Sequence, residues 1–393
     1  MLSKATYWLR QTLWLLTDRV ACLGSVKRCS GNVLLVKVDA IGDFVLWLDS
    51  ARALRERYRE QKIILVANHI VEELAERTGY FDEIIPLNIP KFDFGGSLSY
   101  RFRQLRKVRG VGAGVAINPT YSRTFWTGDS LIRASGAAER IGSVGDDLLI
   151  SPRKKRISDR WYTRLVPATK NPLMELERNC EFLAGFGLPD QIPRVASIPK
   201  LVDLPPIPEL ENDYFIVFPG ATWSGRMWPI ASFAEVMKAV VDRYHLTPVI
   251  CGSGAEKGLA NQLMDQIGEV GAVDLTGRTS LVEFVEIVRS ARFLIGNETS
   301  AVHIAAATDT PSVCLLGGGH FNRFAPYPSK ITGRKPLPVY ELMSCYGCNW
   351  HCTLPHREAG PVPCVESIQV EAVLAGVMIA LSGAGHDEGI VPV

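Results

Sequence analysis

The chain has 393 residues, 47% of them hydrophobic and 21% charged, with a formal net charge of +2 at pH 7. That length exceeds one ordinary core and fits two domains of about 150–200 residues each. The composition excludes a low-complexity or disordered chain, and no apolar run approaches the roughly 20 residues of a membrane-spanning helix.

The small net charge hides an asymmetry. Residues 1–200 carry 31 Lys/Arg against 21 Asp/Glu, whereas residues 201–393 carry 12 against 20. A basic first half suits an anionic partner. Its densest runs, Arg101 to Arg109 and Arg153 to Arg156, read either as the place of that contact or as a solvated helix face and a surface loop. No recognised nucleic-acid-binding motif accompanies them, so nucleic acid is not an expected partner.

Residues 1–31 form an amphipathic extension. Ala5, Trp8, Leu9, Leu13, Leu16, Val20 and Leu23 fall on one helical stripe, with Arg10, Arg19, Lys27 and Arg28 interspersed. Arg10 breaks what would be the apolar region of a signal peptide. The stripe suits either an in-plane helix on an anionic membrane surface or a helix packed on the first domain. Without a signal peptide the expected compartment is the reducing cytoplasm, with peripheral contact at the inner membrane face. There Cys22, Cys29, Cys180, Cys251 and Cys314 read as reduced, mostly buried thiols.

Strands and helices then alternate. Buried strands are expected at residues 32–38, 62–66, 83–87 and 115–118, and helices at 43–58, 69–78 and 97–108. Residues 189–212 contain six prolines and read as the linker between an N-terminal domain at 32–188 and a C-terminal one at 213–364. In the latter, strands are expected at 214–218, 248–252, 293–295 and 312–316, and helices at 230–243, 255–267, 280–289 and 300–307. A helix at 366–382 and a tail complete residues 365–393. The pattern predicts an α/β protein with two Rossmann-like domains facing a central cleft, ligands lying at the strand carboxyl ends.

Four segments carry candidate chemistry. Asp43 follows Gly42 at the first strand-to-helix turn; it reads either as a helix-start acid or as a general base. After the strand at 214–218, Thr222 and Ser224 offer hydroxyls and Arg226 a bidentate fork for phosphate. Glu256 opens the helix after Cys251-Gly252-Ser253-Gly254, where an acid binds ribose hydroxyls or simply complements the helix dipole. In Gly296-Asn297-Glu298-Thr299-Ser300 the amides of Thr299 and Ser300 open a helix and form a ready diphosphate site. Gly317-Gly318-Gly319-His320 reads as a flexible loop at the same rim.

Together the Ile41-Gly42-Asp43-Phe44 start, the Arg226-Met227-Trp228-Pro229 loop, Leu275 to Leu281 and Gly296 to His303 resemble glycosyltransferase family 9, the ADP-heptose:lipopolysaccharide heptosyltransferases. The resemblance covers about residues 32–380. It implies a GT-B fold and an inverting, metal-free transfer from a nucleotide-sugar donor to an anionic glycolipid acceptor. Asp43 would be the catalytic base and Arg226 the basic group at the donor diphosphate. Thr222, Thr299 and Ser300 would contact phosphate, Thr279 would lie at the donor, Glu256 would bind ribose and Glu298 would sit by the sugar. Two positions depart from the family pattern: Arg226 stands where Lys is frequent, and Glu298-Thr299-Ser300 replaces Asp-Thr-Gly.

Cys345, Cys348, Cys352 and Cys364 fall within twenty residues, with His351 and His356 among them. That spacing suits a structural zinc, then an iron–sulfur cluster, then unligated thiols. Its place in the sequence, apart from the four motifs, suggests structure rather than catalysis, and no catalytic cofactor is expected. Two other readings share the fold: a nucleotide-sugar epimerase, which needs further acid/base residues at the sugar, and a non-catalytic glycan- or membrane-binding homologue.

Overall fold

The computed structural model describes residues 4–26, 29–201, 210, 213–382 and 391–392. Lys27, Arg28 and the linker prolines Pro205, Pro206 and Pro208 lie outside these, as do the side chains of Ala5 and Cys29. The chain divides into two compact units. One comprises Met1–Phe44, Ser50–Asn171 and Arg178–Ile192; the other comprises Val45–Asp49, Pro172–Glu177 and Pro193–Val393.

The first unit is built on a six-stranded sheet in the order β3-β2-β1-β4-β5-β6. Its strands are β1 (Cys29–Lys37), β2 (Lys62–Asn68), β3 (Glu83–Leu87), β4 (Ala113–Asn118), β5 (Glu139–Ser143) and β6 (Arg164–Val166). All the pairings are parallel. Val33 to Val36 of β1 and Ile63 to Ala67 of β2 are continuous apolar runs because such a sheet is covered on both faces. The helices α2 (Ile41–Arg57), α3 (Glu72–Thr78) and α5 (Leu98–Gly110) return the chain between strands. Chain order reverses beside β1, between β1 and β4, the place where such sheets hold ligands.

Helix α1 (Lys4–Ala21) packs on this unit, but not through the stripe seen in the sequence. Trp14, Asp18 and Ala21 are its buried residues, at i, i+4 and i+7. Asp18 is paired with Arg101 of α5, with 2.6 Å between Asp18 Oδ1 and Arg101 Nε. Arg101 also donates to the carbonyls of Phe92 and Trp126 and to Ser130. This corrects the expectation for the basic run: α5 is not solvated throughout, since Arg101 is wholly buried. A charge there is tolerated only because its donors are fully engaged. Residues 153–156, expected as a loop, form part of helix α7 (Pro152–Ser158), capped by Ser151. Trp8, Leu9, Leu16, Val20 and Leu23 remain exposed.

The second unit has a seven-stranded sheet, again all parallel, in the order β13-β12-β11-β10-β7-β8-β9. The strands are β7 (Tyr214–Phe218), β8 (Thr247–Ile250), β9 (Val273–Asp274), β10 (Leu294–Asn297), β11 (Ser312–Leu315), β12 (Leu337–Tyr340) and β13 (Val391–Pro392). Helices α9 (Ile230–Tyr244), α10 (Lys257–Ile267), α11 (Leu281–Ser290), α12 (Ser300–Ala307) and α14 (Val370–Ser382) surround it. Phe215, Ile295, Val313, Phe233, Leu263 and Val373 share one buried core. Chain order reverses between β7 and β10, so the loops leaving those two strands flank a switch point. The described part of the linker runs along this unit: Val195 and Ile198 donate backbone hydrogen bonds to Thr332 and Ala307.

Candidate active site

In the second unit the motifs of the sequence meet at one edge. Asn297 ends β10; its Nδ2 donates to the Pro219 carbonyl at 2.7 Å, and its Oδ1 accepts from the Trp228 amide at 3.0 Å. This buried amide therefore joins the two loops of the switch point. Trp228 is itself a core residue, its Nε1 donating to the Ile368 carbonyl. Arg226 is presented on the short turn Ser224–Arg226. Its Nη2 donates to both the carbonyl and the carboxylate of Glu298, at 2.5 and 2.9 Å.

Glu298 is buried, and burial pushes its carboxyl above the usual carboxylate range against the opposing pull of Arg226. Behind it, His303 hydrogen-bonds Tyr327 through Nδ1 at 2.9 Å. Burial, reinforced by the charge of Arg226, depresses His303 to about 3, so this imidazole is neutral. The extra methylene of Glu298, relative to an Asp, thus serves a reach back to the arginine.

Thr299 precedes α12 without making a side-chain cap, and its Oγ1 is buried with no hydrogen-bond partner. A buried hydroxyl left unsatisfied is costly and calls for a ligand or a water. With Ser300 at the first helical position, orphan amides and an orphan hydroxyl face the positive end of a helix dipole.

Thr222 is exposed in the loop after β7. Glu256 lies against that loop, close enough to Gly220 that a Cβ there would come within 1.4 Å of Oε1. Its Oε2 accepts from the Ser253 amide at 2.6 Å, so one oxygen is taken by a capping box. Thr279 stands just before α11, on a turn that packs on the Gly252–Gly254 turn through the left-handed Gly277. Thr222, Arg226, Glu256, Thr279, Glu298 and Thr299 therefore all lie on the connections leaving the carboxyl ends of β7 to β10, and Ser300 opens the helix that follows β10.

In the first unit Asp43 occupies the first turn of α2, whose N-cap is Ala40 and lacks a side-chain cap. Sequence reasoning missed the polar groups at the end of β1. Lys37 is buried and paired with Asp39 at 2.8 Å. Thr120, in the loop after β4, donates to the same Asp39 oxygen at 2.9 Å. These polar groups sit at that unit's switch point; the Lys-x-Asp pattern ahead of Gly42-Asp43 was the available signal.

The cysteine segment requires two corrections. Gly317 to Gly319 are not a flexible loop: a Cβ on Gly319 would come within 2.2 Å of the Trp350 ring, and one on Gly318 within 2.3 Å of Tyr346. Nor is the segment apart from the motifs, because the Val362 amide donates to the Gly225 carbonyl at 3.0 Å. Cys364 is buried and accepts from the Gly318 amide at 3.3 Å. Burial pushes its thiol up, against the opposing hydrogen bond from the Gly318 amide. Among the described residues, however, no three Cys, His, Asp or Glu side chains stand at ligating separations.

Two parallel α/β units, each with polar side chains at its switch point, are the Rossmann-like domains of a GT-B fold. The chain matches the model of glycosyltransferase family 9 (heptosyltransferase) over residues 176–335. It is 26% identical over 313 residues to lipopolysaccharide heptosyltransferase 2 of Salmonella typhimurium, covering 73% of this chain and 82% of that one. A match of 28% identity to lipopolysaccharide heptosyltransferase 1 of Pseudomonas aeruginosa spans 104 residues, about a quarter of each chain (26% and 28%).

Among solved structures, Escherichia coli ADP-heptose lipopolysaccharide heptosyltransferase II superposes with a TM-score of 0.64 at 18% identity, covering 89% of this chain and 98% of the other. The iron-containing dodecameric glycosyltransferase TibC of enterotoxigenic E. coli gives 0.53 at 18% identity, covering 93% and 82%. In sequence and fold the chain is thus similar to the heptosyltransferases of glycosyltransferase family 9.

Proposed function

We propose that this chain transfers a heptose from an ADP-linked donor to a lipopolysaccharide-type acceptor, with inversion at the anomeric carbon. The observation that carries the reading is the second unit's switch point. There Arg226 and an unsatisfied Thr299 hydroxyl stand beside a helix N-terminus. Departure of a nucleoside diphosphate needs positive charge on the leaving phosphates, and fixed donors in a desolvated site supply it most effectively.

In the proposed chemistry Asp43 takes the proton from an acceptor hydroxyl. The resulting oxygen forms its bond to the anomeric carbon as the bond to the diphosphate oxygen breaks. The released electron pair then rests on the phosphate held by Arg226, Thr299 and the Ser300 amide. An epimerase reading is not favoured, since the family model and the curated relatives that match are heptosyltransferases. The test is release of ADP from ADP-heptose by the purified protein, with and without a lipid A-type acceptor. Release that needs acceptor is expected; release at equal rates without it would sink the transfer reading.

The exposed face of α1 supports peripheral association with an anionic membrane. Trp8, Leu9, Leu16 and Val20 are exposed on α1 and Leu23 just past its end, where the exposed Arg106 of α5 donates to the Leu23 carbonyl at 3.0 Å. No helix among the described residues is long and apolar enough to cross a membrane. An apolar face flanked by cations binds in the plane of the interface. In flotation with phosphatidylglycerol vesicles, the full chain should rise with the lipid and Trp8→Glu/Leu16→Glu should not. Equal flotation of the two would refute the anchor.

Cys345, Cys348, Cys352 and Cys364 supply the donor chemistry of a soft structural metal, although among the described residues they do not stand together at ligating separations. We take this site to be structural and the transfer itself to need no metal; elemental analysis of the purified chain decides the first point.

A further inference from the structure

The segment bearing the cysteines comes back over the arginine loop and places one aromatic ring there. Trp350, between Cys348 and Cys352, lies with the Arg226 guanidinium carbon over its face, 5.0 Å from the ring centroid. The edge of Trp223 meets it at 6.2 Å. The ring is fixed from behind. Its Nε1 donates to His320 Nδ1 at 3.2 Å, and it fills the space over Gly317 and Gly319. The Gly347 and Asn349 amides donate to the carbonyls of Gly318 and Gly319, each at 2.8 Å, which ties the two loops together. Burial, with Arg323 and Arg226 nearby, depresses His320 to about 4, so its imidazole is neutral and Nδ1 carries a lone pair for the indole N–H.

We propose that Trp350 is a positioning residue for Arg226, holding the guanidinium plane at the angle required by the donor diphosphate. Contact through the π face consumes none of the five N–H donors of an arginine. Glu298 engages Nη2 alone. The remaining N–H edge is thereby presented to an anion on a side chain that would otherwise lose rotamer freedom on binding. A lysine at this position would have no plane to fix. The aromatic support belongs with the arginine found here.

This inference rests on Arg226 binding the diphosphate, so both are tested in one calorimetric series with ADP and adenosine as titrants. Trp350→Phe keeps a π face, and Trp350→Leu keeps an apolar side chain without one. ADP affinity is expected to fall about tenfold in Trp350→Leu and to stay close to wild type in Trp350→Phe. Adenosine affinity should be unchanged in both. Equal ADP affinity in the Leu and Phe variants would overturn the proposal, as would parallel losses of ADP and adenosine, which mark general disruption of the loop. The control is Arg226→Ala: if it binds ADP as wild type does, the reading of Arg226 fails, whatever Trp350 does.

Discussion

Asp43→Asn is expected to lower kcat by about 10²–10⁴-fold, the range of a lost general base, while ADP binds as it does to the wild-type protein. The carboxylate stands in the first turn of α2, where an acid also complements the helix dipole. These two roles give different results. If Asp43 served the helix alone, its amide would cost about 0.3–1 kcal/mol of stability and leave kcat untouched. If it takes the acceptor proton, turnover collapses with little change in thermal unfolding. Steady-state kinetics at saturating donor, paired with a melting curve, separates them. A variant with wild-type kcat would remove Asp43 from the mechanism.

Arg226→Ala should cost both function and stability. ADP binding is expected to drop beyond the range of calorimetry, because the variant loses the charge-assisted hydrogen bonds that arginine makes to phosphate. In the wild-type structure the same guanidinium neutralises Glu298, which is buried. Removing one partner of such a pair destabilises by about 3–5 kcal/mol. The pH dependence follows from the shift of Glu298. Its carboxyl already lies above the ordinary range through burial, and loss of Arg226 moves it higher.

A carboxyl whose pKa is higher folded than unfolded binds its proton more tightly in the native state. The variant is therefore most stable in acid and weakens as pH rises through the folded pKa of Glu298. Urea denaturation across pH 4–8 should show that slope, about 1.4 kcal/mol per pH unit at most for one group. Arg226→Ala/Glu298→Gln should abolish it. A single variant as stable as wild type at every pH would contradict the pairing.

Much of this was written locally in the chain. β7 was expected at its observed ends because Tyr214 to Phe218 is a short aromatic and β-branched run closed by Pro219-Gly220. Helix α12 likewise follows from a polar turn and an alanine-rich stretch. The strands β5 and β6 were not legible: Glu139-Arg140-Ile141-Gly142-Ser143 has little apolar pattern, and Arg164–Val166 has three residues. Both are stabilised by neighbours in the sheet rather than by their own propensity.

The site divides the same way. Individual donor-loop residues could be named from strand-to-helix turns, since those turns lie at strand carboxyl ends in any such fold. Pairings across long stretches of chain could not. Asp18 neutralises Arg101 from 83 residues away. Glu298 meets Arg226 across 72 residues. Trp350 reaches the same arginine from a segment that seemed to concern only cysteines. Lys37, Asp39 and Thr120 escaped for the same reason, since one of the three lies on another strand's loop.

The most direct test of the account is the ADP dissociation constant of Asp43→Asn and Arg226→Ala measured side by side by calorimetry. The account assigns the diphosphate to the second unit and the base to the first. It predicts wild-type affinity in the Asp43 variant and none in the Arg226 variant; loss of ADP from the Asp43 variant, with binding retained in the Arg226 variant, would contradict it.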